Sequence, residues 1–252
     1  MKNIRFIAKL DIKGEHLVKG IQLEGLRKLG NPNDFARKYY SQGIDEIVYI
    51  DTVASLYNRN NLSSIVKETA KNVFVPLTVG GGIRSLADVA EVLDCGADKV
   101  AVNTAAIKKP EIITQITQRY GSQCMVLSIQ AKRQPGKGWE AYYDNGREHS
   151  GLEVSEWARQ GYELGAGEIF LTSVDQDGTK QGFDLELIKK VSDAVPIPVI
   201  ACGGMSNPQD FVDAVKTGHA DAVAAAAVLH YEDFSIYDIK HYASQNGLGV
   251  RF

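Results

Sequence analysis

Residues 79–100 read VGGGIRSLADVAEVLDCGADKV, and residues 201–223 read ACGGMSNPQDFVDAVKTGHADAV. Each stretch leaves a short apolar run at a glycine pair, Gly81-Gly82 or Gly203-Gly204. Each continues as an amphipathic segment and re-enters an apolar run through an Ala-Asp step, Ala97-Asp98 or Ala220-Asp221. Ser85 with Asp88 has the pattern of a capping box, and Asn207-Pro208 puts proline at the first helical position behind a cap. Strand, turn, helix and strand in that order imply parallel pairing through helical crossovers. The correspondence extends further. Gly43-Ile44-Asp45-Glu46-Ile47 matches Gly165-Ala166-Gly167-Glu168-Ile169, and Asp11-Ile12-Lys13 matches Gln130-Ala131-Lys132. Apolar runs recur at Phe6–Asp11, Glu46–Asp51, Val75–Gly80, Lys99–Asn103, Met125–Gln130, Glu168–Ser173, Pro198–Gly203 and Asp221–Ala226, with helical segments following them. Four units repeated twice in 252 residues predict one (β/α)8 TIM barrel with a pseudo-twofold half-barrel repeat, a single domain over residues 1–252. An open doubly wound sheet is the weaker alternative, because it does not account for the repeat.

Composition bounds the function. A 44% hydrophobic and 23% charged chain is an ordinary globule, neither disordered nor a disulfide scaffold. Lys+Arg 28 against Asp+Glu 31 leaves no basic field, so neither nucleic acid nor a membrane is expected as a partner. Cys95, Cys124 and Cys202 are odd in number and far apart, which suits a reducing, cytoplasmic setting. The opening MKNIRFIAKLDIKG reads as a strand rather than a signal peptide. The longest apolar stretch, Ala222–Leu229, falls far short of the ~20 residues of a membrane span. His16, His149, His219, His230 and His241 have no ligand spacing, so neither a metal nor another cofactor is expected, and surface or partly buried structural roles are.

Active sites of such barrels lie at the C-terminal ends of the strands. Asp11, Asp51, Gly80–Gly82, Asn103, Gln130, Ser173, Gly203–Gly204 and Ala225–Ala226 fall there. Gly81 and Gly82, with Asn103 and Thr104 beside them, form one candidate phosphate site, since glycine lets backbone N–H groups approach an anion. Gly203 and Gly204, with Asp177, Gly178, Ala225 and Ala226, form the second. Two sites across one mouth suggest a long substrate with a phosphate at each end. Residues 12–31 read as a long first loop carrying Lys13 and Lys19, either a mobile lysine lid or a solvated basic loop.

At the opposite ends of their strands stand Arg5, Glu46, Lys99 and Glu168. Side chains two apart share a face, so all four point into the barrel bottom. They read as a charge-balanced plug or as the entrance for a small molecule. The residues alone favour the plug.

Leu10-Asp11, Val18-Lys19-Gly20, Val79-Gly80-Gly81-Gly82-Ile83, Val102-Asn103-Thr104-Ala105-Ala106 and Asp175-Gln176-Asp177-Gly178-Thr179-Lys180 together resemble the cyclase subunit of imidazole glycerol phosphate synthase, from Ile4 to Arg251. The resemblance implies a heterodimer with a glutaminase subunit docked at the barrel bottom. Ammonia from glutamine would pass through the barrel to a phosphorylated ribonucleotide at the top. It makes Arg5, Glu46, Lys99 and Glu168 an ammonia gate, against the plug. It places Asp98 and Gln123 at the glutaminase interface, and Asp11, Lys19 and position 130 in catalysis.

Four residues depart from the family pattern. The family's second catalytic aspartate is here Gln130, which cannot titrate near neutrality. Lys9, two before Asp11 on the interior face, stands where the family has a small residue, and Asp11 is its obvious ion-pair partner. Cys202 and Ala226 replace hydroxyl-bearing residues near the second phosphate. An intact gate with a broken acid–base pair resembles a second-copy paralogue of surface-polysaccharide clusters. There the barrel and glutaminase supply ammonia to an amidotransferase, which turns an acetamido sugar into an acetamidino sugar. An authentic histidine-pathway cyclase with a tolerated substitution, and a conduit with no bound substrate, remain the alternatives.

Overall fold

A sheet whose strands are apolar on both faces needs cover on both, and closing it into a ring removes its exposed edges. The computed structural model, which describes residues 3–54 and 62–252, reaches this arrangement with twelve strands. In chain order these are β1 (Arg5–Lys13), β2 (His16–Ile21), β3 (Glu24–Gly30), β4 (Glu46–Asp51), β5 (Leu77–Gly80), β6 (Lys99–Val102), β7 (Met125–Gln134), β8 (Gly138–Tyr143), β9 (Glu148–Glu153), β10 (Glu168–Ser173), β11 (Val199–Cys202) and β12 (Ala222–Ala225). Eight of them, β1, β4, β5, β6, β7, β10, β11 and β12, pair in parallel in that order, and β12 returns to β1. The (β/α)8 barrel is closed.

The helices between them are α1 (Pro32–Ser41), α2 (Ser63–Ala70), α3 (Leu86–Asp94), α4 (Thr104–Lys108), α5 (Glu111–Tyr120), α6 (Val154–Glu163), α7 (Leu185–Ser192), α8 (Pro208–Lys216), α9 (Ala227–His230) and α10 (Ile236–Gln245). Both predicted starts hold. Ser85 and Asp88 exchange hydrogen bonds as a capping box before α3, and Asn207 caps α8 ahead of Pro208. Among the described residues no helix is long and apolar enough to cross a membrane.

Alternation along β1 separates two cores. Phe6, Ala8 and Leu10 face the helices, while Ile7 faces inward with Val48, Val126, Phe170 and Ile200. The inner group forms an apolar layer across the barrel. The aspartates that precede the repeated strands also acquire a cause. Asp45, Asp98 and Asp221 each accept a hydrogen bond of 2.8 Å from the backbone N–H of Phe6, Leu77 and Val199 at the start of a neighbouring strand. In the fourth copy Gly167 takes the aspartate's place, because a Cβ there would collide with the Ser122 carbonyl.

One expectation is corrected. Residues 12–31 are not an irregular loop: β1 runs on to Lys13, turns at Gly14 (φ +61°), and continues as the β2–β3 hairpin. The second half does the same, with β7 extending to Gln134 and pairing with β8, which in turn pairs with β9. A helix therefore does not directly follow those two strands. Leu17 and Val18 are buried, so the hairpin has its own apolar contacts; of the two lysines, Lys13 is exposed just before the Gly14 turn and Lys19 is buried directly after Val18.

Candidate functional site

At the bottom, Arg5, Glu46, Lys99 and Glu168 close into an alternating ring. Arg5 Nη1 lies 2.6 Å from Glu46, Lys99 Nζ lies 3.0 Å from both Glu46 and Glu168, and Arg5 also pairs with Glu168. Thr78 donates a further hydrogen bond of 2.9 Å to Glu46. Burial disfavours the Arg5 cation, yet the two carboxylates outweigh it and hold its pKa above the ordinary value. Both cations keep partial solvent contact while Glu46 is buried, so the ring faces outward through its cations. Asp98 and Gln123 are exposed on neighbouring bottom loops, where the Gln123 amide donates to the Tyr120 carbonyl at 3.0 Å.

Lys9 lies two positions beyond the Ile7 layer, and points inward as its spacing requires. Its Nζ is 2.9 Å from Asp11 Oδ1, 3.1 Å from Asp11 Oδ2 and 3.9 Å from Asp177. Lys19, delivered by β2, stands 2.7 Å from Asp177 and 3.5 Å from Asp11. Two lysines and two aspartates thus form one buried, electroneutral cluster, each residue 2–3% exposed. Lys19 is fixed, not a mobile lid residue. Burial opposes the Lys9 charge, but Asp11 and then Asp177 outweigh it, so its pKa is raised. For Asp11 burial is likewise outweighed, by Lys9 and then Lys19, and its pKa is lowered. Asp11 is held as a carboxylate. Cys202, on β11 facing the cluster, is pushed up to about 11 by burial, partly offset by Lys9, and stays a thiol. His230, at the end of α9, is buried rather than at the surface. Burial lowers its pKa to about 3, and its Nδ1 sits 2.7 Å from the Tyr39 hydroxyl.

Across the mouth, Gln130 on β7 occupies the position equivalent to Asp11. Each is the residue at which a barrel strand begins pairing with its antiparallel hairpin, Asp11 opposite Val18 and Gln130 opposite Tyr142. Gln130 Oε1 is buried without a hydrogen-bond donor. It lines a cavity of about 700 Å³ together with Asp51, Gly81, Gly82, Asn103, Thr104 and Ser128. Gly81 and Gly82 have φ of +91° and +77°, so their turn needs glycine. The Asn103 amide does not face this cavity's anion position with free donors: it donates to the Ser128 and Tyr142 carbonyls, both at 3.0 Å, and so ties down the β8 hairpin. Thr104 Oγ1 accepts from the Asp144 N–H at 3.1 Å. Burial raises the Asp51 pKa, against two backbone donors, Val53 and Ala54. Sequence reading missed Arg84, Lys108 and Lys109, which also line the cavity. Their one signal was proximity to the glycine pair and to Asn103. Gly203, Gly204, Asp177, Gly178, Ala225 and Ala226 gather on the opposite side around a space of about 20 Å³.

An eight-stranded barrel with this ring below and paired glycine turns above matches, over residues 5–235, the family described as "Histidine biosynthesis protein". The chain belongs to the histidine biosynthesis protein family. It is 63% identical over 211 residues to "Imidazole glycerol phosphate synthase subunit HisF" of Legionella pneumophila, 84% of this chain and 100% of that one. Within this histidine biosynthesis fold, one end offers a salt-bridged ring and an apolar layer. The other offers a cavity with three cationic side chains. Among the described residues no group of His, Cys, Asp and Glu could hold a metal ion.

Proposed function

We propose that this chain is the barrel subunit of a glutaminase-dependent complex, a cytoplasmic single-domain protein that receives ammonia at its lower end. The observation carrying this reading is the closed ring of Arg5, Glu46, Lys99 and Glu168 beneath the apolar layer of Ile7, Val48, Val126 and Phe170. Neutral ammonia crosses an apolar layer far more readily than ammonium does, because burying an unpaired charge is costly. Parting one ring pair would open the entrance, and Asp98 and Gln123 are exposed beside it for a glutaminase to contact.

At the upper end, cyclase chemistry needs an acid and a base. Asp11 is held ionised by Lys9 and Lys19, and Gln130 cannot titrate. General acid–base catalysis contributes about 10²–10⁴-fold, so a mouth without a titrating pair loses much of that. This supports the reading in which ammonia serves amidation of an acetamido sugar for surface polysaccharide, performed by a partner amidotransferase. The 63% identity to a HisF subunit favours the second reading, an authentic cyclase forming imidazole glycerol phosphate and an aminoimidazole carboxamide ribotide. A bare conduit is disfavoured by the 700 Å³ cavity with its glycine turn and cations.

Turnover of the histidine-pathway ribonucleotide with an ammonium salt, needing no glutaminase, separates them. The proposal expects none detectable in the wild-type chain, alongside a stable complex with the glutaminase. Turnover at the rate of a true cyclase would establish the second reading instead.

A further inference from the structure

The cavity of about 700 Å³ does not end inside the barrel. Its lining runs from Ser128 and Gln130 on β7 outward to Leu86 and Ala87 on α3 and to Ile112 and Gln115 on α5. The other half of the repeat has no such extension. Among the described residues, none from α8 or α10, the counterparts of α3 and α5, lines the space at Gly203–Gly204. None lines the space of about 450 Å³ that adjoins it at Lys19, Gly178 and Ala227 either. We infer that the outer part is a slot for a nucleoside and that the whole cavity takes a nucleoside diphosphate sugar. Its diphosphate lies at Arg84 and Lys109, and its sugar points toward Ser128 and Gln130. This rests on the reading above in which the upper end serves amidation of an acetamido sugar, and it adds the carrier of that sugar.

The walls of the slot select the ligand. Ile112 and Gln115 are three apart on α5 and share one face of it. Ile112 is buried while Gln115 is exposed, and Ala87, in the first turn of α3, is exposed and small. The slot thus has an apolar floor of Leu86 and Ile112, open room at Ala87 and an amide at its edge. A nucleobase has matching chemistry, with apolar faces and hydrogen-bonding edges. A hydrocarbon tail has no group for the Gln115 amide to bond. Charge supplies the next part. Arg84 and Lys109 stand where the chain leaves the barrel rim for α3 and α5. Lys108 is committed to Asp144 at 3.3 Å and lies over the Tyr143 ring. Arg84 gives one N–H to the Ala54 carbonyl at 2.6 Å and keeps its other guanidinium donors. Neither Arg84 nor Lys109 has an ion-pair partner among the described residues, and two such cations suit a bridging diphosphate. A ligand ending in a single phosphate would leave the slot empty. Toward the interior, Ser128 and Gln130 offer a hydroxyl and a primary amide to a sugar's hydroxyl and acetamido groups.

Calorimetric titration and ¹⁵N–¹H NMR of the full-length chain test this. The probes are adenosine diphosphate, uridine diphosphate, uridine diphosphate N-acetylglucosamine and inorganic pyrophosphate. The better of the two nucleoside diphosphates should bind at least about tenfold more tightly than pyrophosphate, and should shift the Ala87 amide and the Gln115 side-chain amide. The N-acetylglucosamine conjugate should also shift Ser128 and Gln130, which free uridine diphosphate should leave in place. Ala87→Phe fills the slot from an exposed helical position. It should lower nucleotide affinity about tenfold and leave that of pyrophosphate within about twofold. Lys109→Glu should weaken every probe. Nucleotides that bind no more tightly than pyrophosphate, or that leave Ala87 and Gln115 unshifted, would overturn the inference without any variant. The function reading would then still stand, because the ammonium turnover assay involves no nucleotide. Nucleotide binding unchanged in Ala87→Phe would overturn the slot as its place. A conjugate that binds without shifting Ser128 and Gln130 would overturn the sugar's position and leave a site for the free nucleotide.

Discussion

Lys9 Nζ lies 2.9 Å from Asp11 Oδ1, two positions along the same strand and nearly sealed from solvent. Adjacent inward positions on β1 thus neutralise one another inside the barrel. Removing one partner strands a buried charge, which typically costs ~3–5 kcal/mol. Lys9→Ala should therefore lose about that much, less what Lys19 recovers by moving toward Asp11. Urea unfolding at neutral pH measures it. A loss under about 0.5 kcal/mol would show that water reaches the cluster and screens it.

The ring at the barrel bottom should behave differently, because its cations are partly exposed. Lys99→Ala leaves Glu46, 1% exposed, with Arg5 and Thr78, and a loss of ~1–3 kcal/mol is expected. The functional effect should be selective. With a glutaminase partner, glutamine-driven activity should fall relative to ammonium-driven activity, because added ammonium can enter from the open mouth. Equal losses in both assays would place Lys99 outside the entrance.

Restoring the second carboxylate tests how the departures combine. Gln130→Asp alone should give a small gain in ammonia-dependent cyclase turnover, since Lys9 still holds Asp11. Gln130→Asp with Lys9→Ser should gain more than the two single changes together, within the ~10²–10⁴-fold available to acid–base catalysis. Additive effects would mean that Asp11 and position 130 do not act as a pair.

His230 predicts a pH dependence. Its folded pKa of about 3 lies below the ~6.5 of an unfolded chain, so the unfolded state takes up the proton first as pH falls. The stabilisation is full above ~6.5 and is lost progressively toward pH 3, by a few kcal/mol in order of magnitude. Urea midpoints at pH 7 and pH 4 should differ less in His230→Gln than in the wild-type chain. Asp11, lowered in its folded pKa, adds a loss in the same direction only below ~4, while Asp51, raised in its folded pKa, acts in the opposite direction above ~4, so the comparison with His230→Gln isolates the histidine.

Gly81→Ala should be costly, because φ is +91° and a Cβ would strike the Asp51 backbone. About 2 kcal/mol or more is expected. Gly136 offers the control: its φ is +70° but nothing lies within 4 Å of a Cβ, so Gly136→Ala should cost only the ~1–2 kcal/mol of a left-handed residue. Thermal unfolding of both variants ranks them.

Much of this architecture was present in the chain as pattern. The VGGGI and ACGGM turns, the Ala-Asp steps and the period of apolar runs are local signals, repeated, and they led to the barrel and its two ends. The inward direction of Lys9 and of the four ring residues followed from parity along a strand, which geometry leaves little freedom to alter. That Gln130 stands where Asp11 has its mate was also readable, because a repeat compares the chain with itself.

Tertiary structure alone decided which of these groups are spent and which are free. The residues from 12 to 31 read as a long loop carrying Lys13 and Lys19, yet continuation of β1 past the barrel rim offers them a ladder to join. Lys19 looked mobile until that hairpin carried it to Asp177, a partner 158 positions away. The Asn103 amide looked free until β8 presented the Tyr142 carbonyl. The physical reason is one of range. Strand parity, turn glycines and caps are settled within a few residues by dihedral sterics and local hydrogen bonds. The pairing of a buried charge depends on whichever distant side chain the closed barrel brings within about 4 Å, and no local pattern encodes that distance.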